Sequence, residues 1–133
     1  MRILPDKYLI LVLVIAALFI NGCSNTNPKP GILQGDVSIG PITPVEISNE
    51  PVIVPCEVYK ARKILVYNEK ANSLIQQVDI NCDGRYVIEL KPGTYMVDIN
   101  RIGIDSSPDV PHKIEISSGL TVILDIDIDT GIR

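Results

Sequence analysis

Tryptophan is absent from this 133-residue chain, and phenylalanine and histidine occur once each. The single Phe19 sits in an N-terminal apolar run, so the aromatics beyond it are Tyr59, Tyr67, Tyr86 and Tyr95 alone. Four tyrosines cannot both fill a core and form a broad stacking platform. The lone His112, between Pro111 and Lys113, excludes a histidine-rich metal centre, and no serine or cysteine is marked as its nucleophilic partner. It is expected on the surface. Basic residues are also short, with 12 Lys and Arg against 16 Asp and Glu and a formal net charge of −4. Setting aside Arg2, Lys7 and Asp6 leaves 10 against 15, an acidic surface that repels phosphate backbones and excludes nucleic acid as a partner.

What the chain does have is concentrated at its start. Thirteen unbroken apolar or aromatic residues, Tyr8 to Ile20, follow basic Arg2 and Lys7 and run into Asn21-Gly22-Cys23-Ser24. A membrane span needs about 20 apolar residues and a secretion signal core about 7 to 15, so the run is short for an anchor and right for a signal. With Gly22 one position before Cys23 and Ile20 three before it, the join resembles the lipobox of prokaryotic lipoproteins. The resemblance implies cleavage before Cys23 and lipidation of that residue. Membrane lipid then becomes a partner through Cys23, and the protein is expected at the cell membrane or envelope, extracytoplasmic and lipid-anchored. Residues 1–22 read as the signal peptide, 23–31 as lipidated cysteine and flexible tether, rich in Asn and Pro, and 32–133 as one folded domain.

Cys56 and Cys82 remain as an even pair in an exported chain. They are read either as a disulfide or as two unpaired thiols, since spacing alone does not bring two α-carbons within about 7 Å.

Beyond the tether the hydrophobic period is two, the spacing at which side chains alternate between the faces of a strand. Gln34–Ile39 reads as a first strand with Val37 and Ile39 inward. Residues 40–55 hold Pro41, Pro44, Pro51 and Pro55 and read as an ordered loop. Lys60–Tyr67, with its Ile64-Leu65-Val66-Tyr67 run, reads as a central strand covered on both faces. Leu74, Val78 and Ile80 should point inward from the next. Asp83-Gly84 and Pro92-Gly93 mark turns around a strand with Tyr86, Ile88 and Leu90 inward, then one with Tyr95, Val97 and Ile99 inward. Ile114 and Ile116 follow, and Val122, Leu124, Ile126 and Ile128 line a last long strand. Seven strands and no amphipathic helix predict an all-β, seven-stranded antiparallel Greek-key sandwich.

The segment Asp83-Gly-Arg-Tyr-Val-Ile-Glu-Leu-Lys-Pro-Gly-Thr-Tyr-Met-Val97 resembles the G-x-Y-x-[VLI]-x-L-x-P-G-x-Y-x-V hairpin of carboxypeptidase regulatory-like domains, which have the transthyretin-like (prealbumin-like) sandwich fold. The resemblance covers residues 31–133. It implies a fold and an accessory or surface role, with no chemistry attached. Transthyretin-like hydroxyisourate hydrolases use several histidines and a C-terminal Tyr-Arg-Gly-Ser, whereas this chain ends Thr-Gly-Ile-Arg and has one histidine, so that activity is not expected.

Other constellations have plainer readings. Asp79-Ile-Asn81-Cys-Asp83-Gly84 matches the opening of a calcium loop, but its twelfth position is Leu90 rather than glutamate, which favours a hairpin turn with acidic shoulders. Asp125, Asp127 and Asp129 share one face of a strand, about 7 Å apart, and read as a solvated face that discourages edge pairing rather than a weak cation site. Lys63, Glu89 and a late aspartate could be imagined in an internal isopeptide bond, but Lys63 lies outside the first strand and the late acids alternate outward. No catalytic, cofactor-binding or metal-ligating residue is therefore expected. The function these features support is a non-enzymatic envelope module whose loops, at 40–55 and 102–111, contact another envelope protein or a surface polymer. The alternative is a carbohydrate-binding module.

Overall fold

The computed structural model describes residues 26–44 and 51–133, with Asp6, Lys7, Ile10, Gly22 and Asn49 besides. Cys23 and, apart from Ile10, the apolar run 8–20 lie outside the described residues. Among the described residues no helix is long and apolar enough to cross a membrane.

Two four-stranded sheets pack face to face in an all-β sandwich. The strands are β1 (Gly31–Gly40), β2 (Lys63–Asn68), β3 (Leu74–Asp79), β4 (Arg85–Leu90), β5 (Gly93–Ile99), β6 (His112–Ile116), β7 (Thr121–Ile123) and β8 (Ile126–Asp129). A short helix, α1 (Cys56–Lys60), precedes β2. In the first sheet β1 is central, with β4 antiparallel on one side and β7 and β8 parallel on the other. The second sheet has the order β3-β2-β5-β6 and is antiparallel throughout. Alternation works as expected in most strands: Leu33, Val37 and Ile39 of β1 and Tyr86, Ile88 and Leu90 of β4 meet Ile64, Val66, Val97 and Ile99 from the second sheet in one core. Burial of such side chains contributes roughly 1.5–3 kcal/mol each.

Several expectations need correction. Among the described residues the strands number eight, not seven, because the last long strand is cut after Ile123. Its register against β1 is unchanged across the cut, with Leu33 opposite Val122 and Val37 opposite Ile126, so no residue is inserted. The cut is local. There the Leu124 carbonyl turns inward to accept the Tyr86 hydroxyl at 2.5 Å, and the Asp36 amide donates to the Asp125 carboxylate at 2.9 Å instead of to a ladder carbonyl. Gly35 makes room, since a Cβ there would collide with the Leu124 carbonyl oxygen. These pairings of β1 with β7 and β8 also make the first sheet mixed rather than wholly antiparallel.

The second set of differences concerns faces. Leu74 was expected inward and is exposed, because the register shifts between Val66 and Tyr67 and seats Leu74 opposite Tyr67 on the outer side. Tyr67 and Leu65 are only half-buried, so β2 is central in its sheet but covered on one face. Tyr95 is half-buried as well, its hydroxyl donating to the Lys91 carbonyl at 2.7 Å. The helix α1 falls where the strand was expected to begin, and Gly31, assigned to the tether, opens β1.

Candidate functional site

The direction of β1 divides the molecule into two ends. At the Gly31 end lie the connections 69–73, 91–92 and 117–120, all short turns. Their backbone groups are met locally: the Gly119 amide donates to the Pro30 carbonyl, the Leu120 amide to Ser117, and the Asn68 amide to Ser73. At the Gly40 end lie the long connections, 41–44 with 51–62 and 100–111, with the turn 80–84 and the C-terminal residues 130–133. Antiparallel pairing forces this: β4, β2 and β5 each return their free ends to the same side as Gly40.

An ion pair organises the Gly40 end. Arg62, just after α1, places Nε 2.8 Å and Nη2 3.0 Å from the two carboxylate oxygens of Asp105, a fork geometry, and its Nη1 donates to the Val58 carbonyl at 3.0 Å. Asp105 also accepts the Ile102 amide at 3.2 Å. Both side chains are buried, at 9% and 1% exposure. Desolvation opposes such a pair, and fork geometry with further hydrogen bonds offsets it. The pair ties α1 to the loop after β5. Thr130 closes the other side, its hydroxyl donating to the Pro41 carbonyl and its amide to the Gly40 carbonyl.

Between these segments opens a crevice of about 350 Å³, walled by Pro41, Ile42, Val58, Ile102, Ile104 and Ile132, with the Arg62–Asp105 pair among its lining. Ile102, Ile104 and Ile132 leave much of their surface to solvent, Ile104 most of all at 73%. Gly131 is favoured beside them by its φ of +73°, a backbone conformation that strains residues with a Cβ. Sequence reasoning missed Arg62 and Asp105. The visible signal was an arginine two positions before the apolar run of β2, where a charge needs a partner if the strand's entry is buried.

A row of carboxylates runs from the crevice along the outer face of the first sheet. Asp129, Asp127 and Asp125 are joined there by Asp36 and Asp109. Asp127 accepts the Ser38 hydroxyl at 2.8 Å and its amide donates to Asp109. The guanidinium of Arg133, then the Gly131 amide, hold the Asp129 carboxyl below its usual range. Burial, and secondarily the Asp125 charge, push the Tyr86 hydroxyl above the usual tyrosine range. Among the described residues no group of three or more His, Cys, Asp or Glu is arranged to hold a metal ion.

The other singled-out residues fall as follows. Cys56, at the start of α1, and Cys82, in the β3–β4 turn, are joined as a disulfide with α-carbons 4.6 Å apart. Asp79 pairs with Lys63, and Asp83 accepts the Arg85 amide while the Gly84 amide donates to the Asn81 carbonyl, the bonding of a turn. Glu89 faces solvent from the first sheet and is not brought to Lys63 in the second. His112 is exposed at the start of β6.

No family model matches the sequence, and no curated protein matches it. Solved structures do. GBS52, the minor pilin of the Gram-positive pathogen Streptococcus agalactiae, aligns with 77% of this chain at a TM-score of 0.52 and 11% identity. A DUF3823 family protein from Parabacteroides merdae aligns with 76% of it at a TM-score of 0.45 and 16% identity. The chain spans less than half of each, 45% of the pilin and 46% of the other. At such identity the pilin likeness establishes the β-sandwich fold and nothing finer.

Proposed function

We propose that the protein is a lipid-anchored, non-enzymatic module of the cell envelope, carried on Cys23, whose long connections contact another envelope protein or a surface polymer. The observation that carries this reading is the gathering of both expected contact segments, 41–44 with 51–55 and 102–111, at the end of β1 opposite the tether. Loops held on a rigid scaffold are where such modules place their contacts. The polar groups nearest the loops are committed to structure, Asp105 to Arg62 and the Thr130 hydroxyl to Pro41, which suits a contact surface better than a reaction site. The finer assignment to carboxypeptidase regulatory-like domains rests on residues 83–97, where Gly84 takes φ +84° and Tyr86 fills the core, although β4 and β5 stand in different sheets and so form a connection between the sheets and not the expected hairpin. A minor pilin sharing the fold is compatible with a surface role.

Two experiments test this. Labelling cells with radioactive palmitate should mark the wild-type protein and not Cys23→Ala; equal incorporation refutes the anchor. Surface crosslinking followed by mass spectrometry should return a reproducible envelope partner. The sugar-binding alternative has Tyr67 and Tyr95 only half-buried in its favour, and a glycan array would display it.

A further inference from the structure

We propose that the crevice at the Gly40 end is the docking site for a protein segment that presents a branched aliphatic side chain flanked by lysine or arginine. The inference rests on the envelope-module reading and names the kind of partner that module takes.

The crevice sets the first half of that chemistry. Its volume of about 350 Å³ is at the low end of ligand pockets, which run from about 300 to 1,000 Å³, so it suits inserted side chains better than a whole small ligand. Its walls are aliphatic, and the one ion pair among them is internally neutralised, Arg62 by Asp105. Ile102, Ile104 and Ile132 are left 41%, 73% and 38% exposed around one opening, apolar surface that gains by being covered.

The surroundings set the second half. A shallow groove continuing from Pro41 is lined by Asp127 and Asp129, and the next groove along brings Asp125, Asp109 and Asp36. Among the described residues, Arg133, paired with Asp129, and Arg85, paired with Asp36, are the cations that form ion pairs with these carboxylates. A segment whose aliphatic residue enters the crevice therefore lays its neighbours on a negative strip, and cationic neighbours complement it.

Other occupants fit less well. A second copy would bring one carboxylate row against another. The chain's own tether starts at the opposite end: ten-residue β1 spans roughly 30 Å at about 3.3 Å per residue, and residues 23–30, fully extended, reach at most about 28 Å. The same distance holds the crevice away from a membrane that anchors Cys23.

The test uses the full chain in dodecyl maltoside micelles with ¹³C-labelled isoleucine methyls. Three acetylated, amidated pentapeptides serve as probes: Lys-Lys-Ile-Lys-Lys, its all-glutamate counterpart Glu-Glu-Ile-Glu-Glu, and Lys-Lys-Ser-Lys-Lys. The first should shift the methyls of Ile102, Ile104 and Ile132 saturably, and the other two should not. Ile104→Ser, which alters a solvent-facing side chain and leaves the fold intact, should weaken binding about fivefold or more. Asp127→Asn with Asp129→Asn should weaken it and flatten its salt dependence. No shift at saturating peptide, equal binding of the glutamate peptide, or shifts confined to another face would overturn the proposal. So would concentration-dependent shifts at these methyls without peptide, which indicate a second copy, or shifts with maltoheptaose. Any of these leaves the broader reading standing if surface crosslinking still finds a partner; loss of that partner refutes the broader reading separately.

Discussion

The two ends of this sandwich are built from different materials. The Gly31 end closes with short turns whose backbone groups bond to one another, and among the described residues no charged side chain is buried there. The Gly40 end carries long connections, the only described helix of the folded domain, a disulfide, a buried ion pair and an open aliphatic crevice. Short turns cost little to order and offer little to touch. Long connections must be held in place by extra bonds, and those bonds are found where the contact surface would be. This scaffold concentrates its structural reinforcement at the Gly40 end, away from residues 26–30.

Substitutions can break that contrast, and the largest effects are expected at the reinforced end. Arg62→Ala leaves Asp105 buried without its partner and should lower stability by about 3–5 kcal/mol in urea unfolding. The paired change Arg62→Met with Asp105→Leu should recover much of that loss, because it removes both desolvated charges. Reducing the Cys56–Cys82 bond, which closes a separation of 26 residues, should cost about 3–4 kcal/mol in the chain-entropy account. Titration of denatured, unreduced protein with a thiol reagent should find neither cysteine reactive.

Midway along β1 the effects should be intermediate. Tyr86→Phe leaves the inward Leu124 carbonyl without its donor and should cost about 1–2 kcal/mol. The pH dependence has a definite sign. Because the folded hydroxyl titrates above its unfolded value, the unfolded state alone loses this proton first, so stability should be unaffected at neutral pH and should fall as pH rises above about 10. That part of the alkaline decline should be missing in Tyr86→Phe. At the Gly31 end the smallest effect is expected: Ser118→Ala, in an exposed turn, should change stability by less than about 0.5 kcal/mol. A large loss there would erase the contrast.

Much of the fold was legible in the sequence, and the residues show why. Period-two alternation marks faces, so Val37, Ile39, Tyr86, Ile88, Val97 and Ile126 were placed in the core from pattern alone. Alternation does not name a strand's partner, which is why the parallel pairing of β1 with β7 and β8 was invisible. It also fails wherever one residue is inserted, as at the register shift that turns Leu74 outward. The cut after Ile123 had a signal in Gly35, but only a neighbouring strand shows what the missing side chain makes room for. The candidate site was legible as loops and not as a crevice. Arg62 and Asp105 are 43 residues apart, and no periodic pattern links them. The disulfide needed an α-carbon approach that spacing could not supply.

The claim that the end opposite the tether is the contact surface can be tested by placing a photo-crosslinking residue, p-benzoylphenylalanine, at Ile104 in one strain and at Ser118 in another, then irradiating intact cells. A discrete protein adduct is expected from position 104 and none from position 118. A protein adduct from position 118, with none from 104, would contradict it.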